Sequence, residues 1–196
     1  MQDLIDLNML IKNCTDCKLH KVRNNTVPGT GQTTLDIMMI GEGPGYYEDR
    51  DGTPFNGPSG RFLTELLKSI ELTREDIFLT NVLKCRAPGN RDPQIDEILA
   101  CSKYLDRQIE LVNPWLIVTL GKYSTEKFIK FKKISDVRGR LYIVDGRYIL
   151  PIMHPAAGLR NQKWVQSIKD DFKTIPDIMK LPRPKVAQIE SQMSLL

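Results

Sequence analysis

Residues 35–60 read LDIMMIGEGPGYYEDRDGTPFNGPSG. The run from Leu35 to Ile40 is short and apolar and ends at Gly41, the pattern of a strand buried on both faces. The twenty residues from Gly41 to Gly60 then carry Gly and Pro without hydrophobic periodicity. Unpatterned loops of that length inside a compact domain are mostly functional or disordered. Two further apolar runs, Ile77 to Leu83 and Trp115 to Leu120 (WLIVTL), read as strands. Between them lie helical periodicities. Phe62, Leu63, Leu66, Leu67 and Ile70 mark a helix over 61–70, and Pro93 suits the first turn of a helix striped by Ile95, Ile98, Leu99, Leu105, Ile109 and Val112, which stops before Pro114. Strands alternating with helices imply a parallel sheet covered on both faces, with ligands bound at the carboxyl ends of strands. That rule selects the loop after Ile40, the segment around Asn81 and the turn at His154.

Outward from this frame, Leu4, Ile5, Leu7, Leu10 and Ile11 predict an amphipathic helix ending near Asn13. Asp145-Gly146, between 141–144 and 147–152, is a strong hairpin signal. A lysine-rich helix is expected after Gly121 and a final helix over 164–179. We expect one domain over 1–180 and a flexible tail over 181–196, in which the last five residues, QMSLL, faintly suggest a sliding-clamp-binding end. The apolar runs fall far short of the roughly 20 residues a membrane span needs, and Asp3 and Asp6 replace a basic signal region, so a cytoplasmic protein without membrane attachment is expected. The net charge of +4 permits an anionic partner without demanding one.

Only two histidines are present, which excludes a three-histidine metal centre. Four cysteines remain, Cys14 and Cys17 in a C-x-x-C pair and Cys85 and Cys101 further on. In a reducing compartment four thiols favour metal ligation over disulfides. Cys14, Cys17 and Cys85 have polar neighbours, unlike inert core cysteines. Tetrahedral zinc and an iron–sulfur cluster both suit four thiolates, and the spacing alone does not choose between them. Either would staple the amino-terminal helix to the rest of the domain.

The glycine loop is not a dinucleotide fingerprint, because Tyr46 stands where a third glycine is required and Pro44 interrupts the turn; no Gly-Lys-Ser/Thr follows to make a P-loop. Taken with LTNVLKCRAPGNRDP (79–93) and MHPAAGLRN (153–161), it resembles the iron–sulfur class of uracil-DNA glycosylases, family four, from Cys14 to about Trp164. The resemblance implies a three-layer αβα sandwich around a central four-stranded parallel sheet. It also implies a structural 4Fe–4S cluster on Cys14, Cys17, Cys85 and Cys101, and uracil-containing DNA as the partner of a monomeric enzyme.

Such an enzyme extrudes its base from the stack at a cost of a few kcal/mol, and an aromatic platform returns about 1–3 kcal/mol. Phe55 is the expected platform. Asn81, ending a strand, offers an amide that pairs with the acceptor and imino donor of uracil, a pattern cytosine inverts. Glu48 is expected to bar the thymine methyl, and Gly41 and Gly43 to bring backbone to the base. His154, as a neutral imidazole, is the expected donor to the departing oxygen, where charge develops. Glu42 is placed on the sugar side, positioning water or balancing the cationic sugar. Leu159 is the expected wedge and Arg160 the phosphate contact, with Ser59 and Gly60 offering backbone donors at a helix start. No lysine occupies the position of a Schiff-base nucleophile, so base removal without strand cleavage is expected. The alternatives are a glycosylase of broader specificity for deaminated bases, and a metal-stapled nucleic-acid-binding protein without catalysis. The second would not need Glu42, Asn81 and His154 together.

Overall fold

The strands assemble in the order β2–β1–β3–β5–β4, where β1 is Ile37–Gly41, β2 Phe78–Asn81, β3 Leu116–Leu120, β4 Tyr142–Val144 and β5 Arg147–Ile152. The computed structural model describes residues 2–31 and 34–184; the sequence reading of a clamp-binding tail at 192–196 lies outside them. Four strands run parallel, as the resemblance implied, and the hairpin adds β4 antiparallel at one edge. Asp145 (φ 48°) and Gly146 (φ 69°) both adopt the left-handed conformation that a two-residue turn of this twist requires.

Every residue of β1, β2 and β3 is buried, which explains their near-continuous apolar runs. Alternate side chains serve opposite faces. Ile37, Met39, Val118 and Leu150 pack with Phe62, Leu63, Leu66 and Leu67 of α3 (Pro58–Lys68) and with Ile168 and Phe172 of α8 (Lys163–Phe172). Met38, Ile40, Ile117 and Ile149 pack with Leu105 and Val112 of α4 (Ile95–Val112) and with Leu4 of α1 (Gln2–Lys12). The result is the expected three layers. A separate apolar cluster joins Leu7 and Ile11 of α1 to Leu19, Leu83, Cys101 and Tyr104.

Several local expectations are corrected. The glycine loop contains a six-residue helix, α2 (Tyr46–Asp51), whose first turn is closed by Glu48 Oε2 accepting from the Gly45 N–H at 3.0 Å. Helix α4 starts at Ile95, not Pro93, because Glu97 accepts from the Gln94 N–H at 2.9 Å and caps it there. Its buried stripe is Cys101, Tyr104, Leu105, Gln108 and Val112, leaving Ile95 and Leu99 77% and 68% exposed. After Gly121 only a five-residue helix forms, α5 (Lys122–Glu126), and a short α6 (Ile134–Val137) follows. The final helix is interrupted ahead of Pro176, giving α8 and a one-turn α9 (Ile175–Ile178), and a further helix, α7 (Pro155–Arg160), follows β5. Among the described residues no helix is long and apolar enough to cross a membrane.

Candidate active site

A cleft of about 410 Å³ opens where β1, β2 and β5 end, and it gathers the residues of all three segments selected from the sequence. Gly41 and Asn81 face each other across the β1–β2 pairing. A side chain on Gly41 would clash with Asn81 Oδ1 and stand 2.7 Å from Phe55 Cζ, so a glycine there is what lets the amide and the ring converge. Asn81 is 2% exposed, and its side-chain amide borders the cleft without taking a protein hydrogen bond among the described residues.

Phe55 sits at φ 54°, a left-handed conformation that is an outlier for a bulky residue and costs on the order of 1–3 kcal/mol. Two features hold it there. The Arg74 guanidinium donates to the carbonyls of Phe55 (2.8 Å) and Pro54 (2.6 Å), and Gly60 brings α3 so close that a Cβ would clash with the Phe55 carbonyl. Gly60 thus has a packing role in addition to its place at a helix start, while Ser59 borders the cleft. The Phe55 ring lies nearly parallel to His154, with centroids 6.1 Å apart and planes 20° apart.

Glu48 is buried in the cleft wall, with Oε1 accepting from the Gly57 N–H (2.8 Å) and Oε2 from Gly45. Both oxygens are spent on backbone, so the wall is rigid. Gly43 lies beside Glu42 on the same rim. Glu42 Oε1 accepts from the Lys122 N–H at 2.8 Å and, more weakly, from Tyr123 at 3.4 Å. Burial pushes the Glu42 carboxyl above its ordinary range, opposed by these two donors. Behind it, Gly121 (φ 103°) fits against Glu42 and His154 so closely that a side chain would clash with the carboxylate.

His154 ends the segment after β5 and caps α7, its Nδ1 accepting from the Ala156 N–H at 3.1 Å. The acceptor role of Nδ1 leaves the proton of the neutral ring on Nε2. Burial, helped by Arg160, pushes the imidazole down to about 4. In a nitrogen-15 NMR titration His154 is therefore expected to keep a neutral, Nε2-protonated ring until the pH approaches 4. An unfolded histidine takes its proton near pH 6.5, so the unfolded state binds more protons between the two values. This group's stabilising contribution is full above about pH 6.5 and is lost as the pH falls toward 4. A His154 midpoint near 6.5 would overturn the assignment.

Leu159 is 54% exposed on α7, whereas Gly158 is buried, and a Cβ placed on it would stand 3.2–3.4 Å from Phe62, Val165 and Ile168. The apolar projection at this rim is thus Leu159. Arg160 follows it and borders the cleft.

Next to the cleft the four cysteines line a second, tight cavity of about 10 Å³ together with Ile11, Leu19 and Tyr104, and Cys85 borders both spaces. Arg23 donates to Cys85 Sγ at 3.1 Å, and the Lys84 main-chain N–H donates to Cys101 Sγ at 3.3 Å. Asp16, inside the C-x-x-C pair, ties this loop to α4 through Lys103 (2.7 Å) and the Tyr104 hydroxyl (3.3 Å). Among the described residues no three His, Cys, Asp or Glu side chains converge tightly enough for a single metal ion.

Sequence reading missed Arg74, Gly121 and Asp92. Asp92 borders the cleft, and burial first, then the nearby Asp92 carboxylate, raises the Tyr123 phenol to about 12. Gly121 was visible as the glycine ending the third strand's carboxyl end, the same signal that selected Gly41.

A model of the uracil DNA glycosylase superfamily matches residues 28–175. The type-4 uracil-DNA glycosylase of Sulfurisphaera tokodaii is 42% identical over 193 residues, covering 93% of this chain and 88% of that protein. That of Saccharolobus solfataricus is 46% identical over 179 residues, covering 86% and 83%. That of Archaeoglobus fulgidus is 41% identical over 193 residues, covering 94% and 97%. With matches of this extent added to a cleft at the strand ends, the chain belongs to the uracil DNA glycosylase superfamily, among the type-4 proteins.

Proposed function

We propose that this chain removes uracil from DNA by hydrolysing the bond between the base and deoxyribose, leaving free uracil and an abasic site in an unbroken strand. The single observation that carries this reading is the convergence of Asn81, Phe55, His154 and Glu42 on one cleft. An extruded uracil stacks on Phe55 and pairs its edge with the Asn81 amide. The rigid Glu48 wall excludes a 5-methyl group, a necessary device because a methyl is otherwise worth only about 1–3 kcal/mol of discrimination. The His154 Nε2–H donates to the leaving oxygen, and as a neutral donor it stabilises the anion without having to be recharged. Glu42 supplies a carboxylate on the sugar side, where the attacking water and the cationic sugar both call for an acceptor. Leu159 fills the vacated stack, and Arg160 and Ser59 meet the backbone. All these groups come from one chain, so a monomer suffices. A clamp contact through the tail remains part of the proposal as a separate partner.

The four cysteines suit a 4Fe–4S cluster better than zinc. A single ion at about 2.3 Å from each sulfur needs a tight tetrahedron of ligands, and although all four cysteines line one cavity, among the described residues they do not form such a single-ion site. Cys14, Cys17, Cys85 and Cys101 would hold the cluster, which supplies a cross-link between the amino-terminal segment and α4.

The test is incubation of the purified protein with a uracil-containing oligonucleotide, followed by alkali. Cleavage only after alkali is expected on uracil in either single- or double-stranded DNA. Cleavage without alkali would refute the monofunctional reading, and none with alkali would favour the non-catalytic alternative. Excision of hypoxanthine at a comparable rate would favour the broader-specificity one.

A further inference from the structure

The most unusual side chain outside the chemistry is Lys84, 1% exposed between two regions of different purpose. It directly precedes Cys85, and its main-chain N–H bonds to Cys101 Sγ. Its side chain turns back toward β2. There the ammonium donates to Thr80 Oγ1 (2.7 Å), the Asn81 carbonyl (2.6 Å) and Gln108 Oε1 (2.7 Å). Three donors meet three acceptors, which is the complete capacity of the group. The acceptors are themselves fixed, since Thr80 Oγ1 and Gln108 Nε2 both donate to the Pro28 carbonyl, at 2.9 and 2.8 Å.

Packing does not explain a lysine here. Burying a cation without a carboxylate partner is costly, and a methionine of similar length would fill the space without that cost. No carboxylate pairs with Lys84 among the described residues. What the ammonium does achieve is geometric. The N–H groups of Val82 and Leu83 are held by the carbonyls of Gly41 and Glu42, each at 3.0 Å, and Lys84 fixes the Asn81 carbonyl from the other side. The strand end that presents the Asn81 amide is therefore clamped on both sides.

We infer that Lys84 is a positioning residue, which sets the Asn81 amide at the base edge by holding the Asn81 main-chain carbonyl. This rests on the proposed role of Asn81 and deepens it. A misplacement near 1 Å at a recognition group is enough to cost about 10²-fold in rate.

The test is a double-mutant cycle with Lys84→Met and Asn81→Ala, read as single-turnover excision of uracil and as calorimetric affinity for free uracil. Melting temperature and iron content are measured on each variant. Lys84→Met is expected to lose about 10–100-fold in the otherwise natural protein. In the Asn81→Ala background the same change should cost less than about threefold, because the group it positions is gone. Equal losses in both backgrounds, or no loss in the first, would overturn the inference and mark Lys84 as merely structural. Should Lys84→Met fail to fold, Gln108→Met, which removes one of the three acceptors, takes its place in the cycle with the same criterion and a smaller expected loss. An inactive natural protein would instead sink the proposed function itself, whereas an active one with equal losses sinks only this inference.

Discussion

Asn81→Asp is expected to reduce the preference for uracil over cytosine from about 10⁴-fold or more to within about tenfold. The natural amide offers an acceptor to the imino N–H of uracil and a donor to its O4. Cytosine presents a lone pair and an amino group at those positions, so both pairings fail and buried polar groups are left unmatched. A protonated carboxyl reverses the pattern, donating to the cytosine ring nitrogen and accepting from its amino group. Position 81 is 2% exposed, and such burial raises a carboxyl's affinity for its proton, which favours that form. The ionised fraction repels O4 of uracil, so uracil excision should fall by roughly 10²–10³-fold while cytosine excision appears. Single-turnover rates on matched oligonucleotides containing one uracil or one cytosine decide the matter. A uracil-to-cytosine ratio equal to that of the natural protein would remove Asn81 from base reading.

The parts of the fold that were legible in the sequence are those whose signals are local. LDIMMI and WLIVTL announce themselves because both faces of β1 and β3 are buried, and Asp145-Gly146 because its turn needs two left-handed residues. Helix α2 was hidden by the glycines and prolines around it, since its start depends on Glu48 reaching back to Gly45 and across to Gly57. Ile95 and Leu99 are read into the apolar stripe of α4 yet remain exposed, because at 3.6 residues per turn they project away from the face that Glu97, Cys101, Leu105, Gln108 and Val112 bury. The cleft itself followed from the rule that strand ends bind ligands. Its supports did not. Arg74 acts on a carbonyl 19 residues away and Gln108 on a lysine 24 residues away, and no local pattern carries such pairings.

With the proposed cluster on the four cysteines, Cys101→Ala should reduce the bound iron well below that of the natural protein and lower the melting temperature by roughly 8–16 °C. The magnitude comes from treating the cysteine-bound group as a cross-link. Cys17 and Cys85 are separated by 68 positions, and closing a loop of that length constrains the unfolded chain by about 4 kcal/mol. For a domain of this size, each kcal/mol moves the midpoint by about 2–4 °C. The small apolar cluster of Leu7, Ile11, Leu19, Leu83 and Tyr104 that lies beneath offers little to replace the link, as it is separate from the two clusters that cover the sheet. The loss should therefore be uneven. Amide exchange is expected to accelerate in α1 and around Cys14 and Cys17, while β1 and β3 keep their protection. Activity at moderate temperature should fall less than stability does, because His154, Glu42 and Phe55 are carried by other elements. Its loss should centre on base affinity, since Cys101 Sγ accepts from the main chain of Lys84, three residues beyond Asn81. Full iron content in Cys101→Ala would exclude this residue as a ligand. A melting temperature within about 2 °C of the natural protein, with the iron gone, would show that the cysteine-bound group is not what ties the amino-terminal helix to α4.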